Sequence, residues 1–158
     1  MSVLILFLLC IGAGIIAGVF FAFSSFIMKA LAGQPPEHGA DAMRRINVTV
    51  LNPGFLGIFM GSAILSVAAI VAAFVPWHAG RSLWMIAAGV CYLLGTFLVT
   101  MLFNVPRNER LARMTDGSQE AHRYWALYLR EWTFWNHVRA LAAALSAATA
   151  AMALWLMP

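Results

Sequence analysis

The segment Phe134–Ala140 reads FWNHVRA and opens an apolar run, LAAALSAATAAMALWLM, of the kind that lies in lipid. Asparagine, histidine and arginine side chains are costly below the lipid headgroups, and here all three crowd together. Their chemistry is specific. An imidazole titrates near neutral pH and suits a general base. Amides and a guanidinium suit a developing oxyanion. Trp125, Trp132 and Trp135 stand on the same stretch, and indole faces suit flat apolar rings. On a helix, Trp132, Asn136 and Arg139 recur at spacings that place them on one face, with His137 about 100° further round.

Other amides fall at the same membrane level. Asn47 and Asn52 precede the second apolar run, and Asn104 and Asn108 follow the third. Three separate segments therefore converge on one candidate pocket. Its candidate catalytic residues are His137, Asn136, Arg139, Asn104 and Asn108; its candidate substrate-binding residues are Asn47, Asn52, Trp125, Trp132 and Trp135. Each has a structural alternative. Asn52 and Asn104 can cap helices, Arg139 can snorkel to phosphate, Trp132 and Trp135 can anchor at the interface, and His137 can be a hydrogen-bonded boundary residue.

Several chemistries are missing from the chain. It has no glycine-rich phosphate loop, no HExxH and no GxSxG. All six acids (Glu37, Asp41, Glu109, Asp116, Glu120, Glu131) lie between the apolar runs, whereas a proton-coupled transporter would carry one inside a span. His38, His122 and His137 share one side and are a metal-binding alternative, though their spacing carries no ligand signature. Cys10 and Cys91 sit in apolar runs without a CxxC pattern and read as packing thiols.

The elements that must position these groups follow from composition. Of 158 residues, 63% are hydrophobic and 10% charged, far from the roughly 25% charged residues of soluble domains. The bilayer is the expected solvent, and the net charge of +4 reads as membrane topology instead of nucleic-acid binding. Four runs are long enough to span: about 3–30, 54–76, 82–103 and 136–157. Asn52-Pro53 introduces the second, and Asn104-Val105-Pro106 is expected to close the third. Met43, Ile46 and Val50 predict an amphipathic helix over 41–51. Asp116-Gly117-Ser118-Gln119 reads as a capping box, and the absence of glycine and proline after it predicts one helix through 118–135 into the last span. Gly14, Gly18 and Ala22, with Gly57 and Gly61, form small-residue stripes expected to pack within the bundle.

Nine basic residues fall in or beside the two long loops, and Arg81 alone falls on the other side. This predicts cytoplasmic long loops and both termini outside, with Trp77, Trp84 and Trp155 at the outer interface. MSVLILFLL lacks a basic leader and reads as a retained helix. The expected fold is all-α: a single 1–158 membrane domain, an integral membrane four-helix bundle with a long cytoplasmic helical extension leading into the fourth span.

The segments GVFFAFSSFIMKAL (18–31), AMRRINVTVLNPGF (42–55), FNVPRNERLA (103–112) and WTFWNHVRALAA (132–143) resemble the anthrone oxygenase family of small four-helix membrane proteins. The pairing of N-V-P-x-N-x-x-L with W-x-x-W-N-H-V-R carries the resemblance. It implies importance for Asn47, Asn52, Pro53, Asn104, Pro106, Asn108, Trp132, Trp135, Asn136, His137 and Arg139. Arg44 stands where the family often has glutamine, which bears on the choice of substrate. The implied activity is oxygenation of a lipophilic phenolic or anthrone-like substrate by dioxygen in the plasma membrane, without a cofactor. The implied partners are that small substrate and membrane lipid, with no nucleic acid and the oligomeric state open. A non-enzymatic carrier of small lipophilic molecules, or a metal-dependent oxidase using the cytoplasmic-side histidines, is the alternative function.

Overall fold

The computed structural model describes residues 2–115 and 118–156. They form helices α1 (Ser2–Ala32), α2 (Pro36–Thr49), α3 (Pro53–Ala72), α4 (Ala79–Ala112) and α5 (Gln119–Trp155), with no strand among the described residues. All but α2 are long and apolar enough to cross a membrane. Around the bundle the order is α1, α3, α4, α5, each packed on the next and α5 closing on α1.

Two apolar cores stack along the bundle axis. The larger one gathers Leu9, Ile16, Phe20, Phe59, Met85, Tyr92 and Ala143 between the four long helices. The smaller one gathers Met28, Met43, Leu111, Tyr124, Trp125, Tyr128 and Trp132, where α2 covers the ends of α1, α4 and α5. Outward faces carry Phe21, Ile64, Val71 and Leu141, each at least 63% exposed, as lipid-facing positions require.

Local chemistry explains most boundaries. Asn52 caps α3: its Oδ1 accepts from Phe55 N at 3.0 Å and its Nδ2 donates to Thr49 O at 3.0 Å, closing the turn from α2. Ser118 caps α5, accepting from Ala121 N at 3.0 Å; Asp116 and Gly117 of the expected capping box lie outside the described residues. The amphipathic helix begins at Pro36 instead of residue 41, because proline suits the first helical position after the extended Pro35. The second span ends at Ala72, short of the expected residue 76.

Asn104-Val105-Pro106 does not close the third span. Helix α4 continues through it to Ala112 by adopting π-helical turns at Cys91–Leu98 and Thr100–Asn104. A wider turn moves the carbonyl away from the Pro106 ring, which would collide with it in regular α geometry. Arg107 Nη1 donates to Phe103 O at 2.8 Å within the loosened stretch, while Nη2 and Nε hold Glu131 Oε2 on α5 at 2.8 and 3.0 Å.

The glycine stripes also differ from expectation. A Cβ at Gly14, Gly18, Gly57 or Gly61 would meet nothing within 4 Å. The close approaches are elsewhere: a Cβ at Gly12 would strike Ser62, one at Gly95 would strike Ala142, and one at Gly89 would lie 2.6 Å from Ser66 O. Spacing along one helix shows which glycines share a face, but the face each neighbour covers is set by helix rotation in the bundle.

Candidate functional site

Between the two apolar cores lies a polar layer. Helix α5 supplies Asn136 and Arg139, α4 supplies Thr96, Thr100 and Asn104, and α1 supplies Ser24. Asn104 and Asn136 are wholly buried and Arg139 is 6% exposed. Asn136 sits at the centre. Its Nδ2 donates to Phe20 O and Ser24 Oγ, both at 2.7 Å, and its Oδ1 accepts from Arg139 Nε at 2.9 Å. The contact to Phe20 O satisfies a carbonyl where α1 passes into a π-helical turn over Phe23–Ile27, a local adjustment that neighbouring helices commonly satisfy in lipid.

The Arg139 guanidinium lies between rings, 3.9 Å from the Phe20 centroid and 4.8 Å from that of Trp132. Its Nη1 reaches Thr100 Oγ1 at 3.4 Å. No carboxylate pairs with it among the described residues, and Glu131 of the same helix is held by Arg107. Arg139 is held inside the bundle and does not snorkel to a surface. Asn104 is not a cap: its Nδ2 donates to Trp132 O at 3.2 Å, and its Oδ1 has no partner. The Trp132 Nε1 is likewise buried and unpartnered.

The remaining candidates separate into neighbouring positions. Asn108 Oδ1 accepts from the Tyr128 phenol at 2.8 Å, below the polar layer in the smaller core. Asn47 lies beside the same phenol, with its Nδ2 buried and unpartnered. Trp125 and Trp132 stack on the two sides of Tyr128 with centroids 5.6 and 5.9 Å away. Trp135 stacks on Phe103 at 3.6 Å. Asn52 is exposed at the α2–α3 turn, occupied by capping.

His137 departs from the expected pocket. It is exposed, whereas Asn104 is wholly buried. It lines a groove of about 560 Å³ between α1 and α5 with Ala17, Gly18, Phe21, Ser24, Ser25 and Leu141. That volume is within the roughly 300–1,000 Å³ of small-molecule sites. Ser24 joins the groove to the polar layer. Its oxygen accepts from Asn136, and no acceptor for its own proton is found among the described residues. That hydroxyl is therefore free to donate into the groove. Ser25 differs, because its hydroxyl is engaged by Phe21 O at 2.7 Å.

Sequence reasoning missed Ser24. The available signal was a serine pair inside an otherwise apolar span, but serine is cheap to bury and satisfies itself on its own helix. The metal alternative finds no support in the placement of its residues. Among the described residues no group of three His, Cys, Asp or Glu side chains is placed to hold an ion, and His38, His122 and His137 are all exposed at separate positions.

A family model described as anthrone oxygenase matches residues 55–149. The match covers Asn104, Asn108 and every candidate on α5, and leaves Ser24, Asn47 and Asn52 outside it. No curated protein and no solved structure matches the chain.

Proposed function

The chain belongs to the anthrone oxygenase family, and from that premise we propose that it is a membrane-bound oxygenase for a flat, lipophilic phenolic or anthrone-like substrate, using dioxygen and no cofactor. The observation that carries the proposal is the α1–α5 groove. It is apolar along its walls, open on the outer face of the bundle, and supplied at one end with an exposed imidazole and a free hydroxyl donor.

These groups fit the reaction. The ring system lies along Gly18, Phe21 and Leu141, where a glycine leaves room for a planar molecule. His137 takes a proton from the acidic ring methylene. The electron pair left on carbon is delocalised onto the ketone oxygen, where the Ser24 hydroxyl donates to it. The carbanion transfers electrons to O₂ and a C–O bond forms, giving a hydroperoxide. Loss of the second methylene hydrogen with cleavage of the O–O bond releases water and leaves a carbonyl. One CH₂ and one O₂ become one C=O and one H₂O, so the substrate supplies all four electrons that O₂ accepts and no external reductant is needed.

We propose the plasma membrane as the protein's location; the distribution of basic residues supports cytoplasmic long loops and both termini outside. The test of the activity is oxygen uptake by the purified protein in lipid nanodiscs. We expect anthrone-dependent uptake above the protein-free rate, at one O₂ per anthrone, unchanged by a chelator. Saturable binding without any such uptake would identify a carrier instead.

A further inference from the structure

We propose that the groove takes its aromatic ligand as an anion, with Arg139 as the counter-charge, so that ionised phenols and enolates are preferred over neutral molecules of the same shape. The inference rests on the groove being the ligand site, as proposed above, and adds the charge of what it holds.

Among the described residues, the Arg139 guanidinium has no carboxylate to balance it. A buried charge is stable when paired or extensively hydrogen-bonded, and an arginine inside a membrane protein normally has a carboxylate or faces a polar cavity. Arg139 is 6% exposed. Among the described residues, what faces it is neutral: the Phe20 ring from α1, Thr100 from α4, and Trp132 and Asn136 from its own helix. Helix α1 contains no acidic residue. On α5, Glu131 is taken by Arg107, and the Tyr128 phenol is committed as a donor to Asn108.

The imbalance is directed toward the groove. Arg139 Nε donates to Asn136 Oδ1 at 2.9 Å, and Asn136 Nδ2 donates to Ser24 Oγ at 2.7 Å. Each donor in this chain points the same way, from the cation to the hydroxyl that lines the groove. Polarised in this order, the Ser24 proton is a stronger donor to an oxyanion than to a neutral ether or ketone. Two residues, Asn136 and Ser24, stand between Arg139 and the ligand, so it is a positioning residue. Its field selects a charge without touching it.

The test uses 2-hydroxyanthraquinone, whose ionisation changes its visible absorption, and its methyl ether as the neutral isostere. The whole chain is held in nanodiscs of phosphatidylcholine, which bears no net charge. We expect the bound phenol to titrate at least one pH unit below the same probe in protein-free nanodiscs, a tenfold change in the ionised-to-neutral ratio. Arg139→Gln should remove this shift, Arg139→Lys should restore part of it, and the methyl ether should bind wild type and Arg139→Gln alike. Ser24→Ala keeps the guanidinium and should diminish the shift, which covers the case in which Arg139→Gln does not fold. A bound phenol that titrates as in empty nanodiscs, a shift that survives Arg139→Gln, or no saturable probe binding would each overturn the proposal. A shift without oxygen uptake upholds the anion site and removes the reaction; uptake without a shift does the reverse.

Discussion

Polar side chains in this protein fall into two kinds at the residue scale, and the sequence distinguishes them unequally. Asn104, Asn136 and Arg139 stand out in the sequence because amides and charges are expensive at membrane depth, and the structure buries all three in one layer. Ser24 does not stand out, since a lone hydroxyl can satisfy itself on its own helix, yet it is the group that carries the polar layer to the groove. His137 was legible as an unusual residue, but not its direction: a step of about 100° per residue turns it from the Asn136 face to the α1 side. If it is the base, His137→Gln should keep the groove and lose at least ~10²-fold in turnover, with substrate affinity changed little. Oxygen uptake near the wild-type rate in a folded His137→Gln protein would make it a boundary residue.

Helices of about the right number and length were readable from hydropathy, because lipid leaves few other ways to satisfy a backbone. What pattern did not disclose was how helices accommodate their irregularities. Pro106 reads as a stop, and only the π-helical turn before it explains why α4 continues. Glycine spacing at Gly14, Gly18, Gly57 and Gly61 reads as a packing stripe, and the structure packs Gly12, Gly89 and Gly95 instead. The two sets make opposite predictions. Gly95→Leu drives a side chain into Ala142 and should destabilise the bundle by about 1–3 kcal/mol. Gly57→Leu points into open space and should stay within about 0.5 kcal/mol of wild type. Thermal unfolding in detergent measures both, and equal losses would contradict the close packing of Gly95 on Ala142.

The whole molecule is a bundle with a small second core on one end and a polar layer at the junction. That arrangement puts charged and amide groups at one level of the bundle, under a cover made by α2, with the groove beside them open on the outer face. We propose the orientation that the basic residues give, long loops cytoplasmic and both termini outside. In a chain with Cys10 and Cys91 replaced by alanine, Gly80→Cys should react with an impermeant maleimide on intact cells and Gln34→Cys only after permeabilisation; the reverse pattern would invert the topology. The central claim is that the protein inserts one atom of dioxygen at an activated ring methylene. It is tested most directly by the mass of the quinone formed from anthrone under ¹⁸O₂ in nanodiscs, followed against protein-free nanodiscs at near-neutral pH. Quinone carrying a single heavy oxygen is expected, appearing faster with the protein and slowed to the blank by His137→Gln. Labelled quinone appearing at the blank rate with the wild-type protein would contradict that claim.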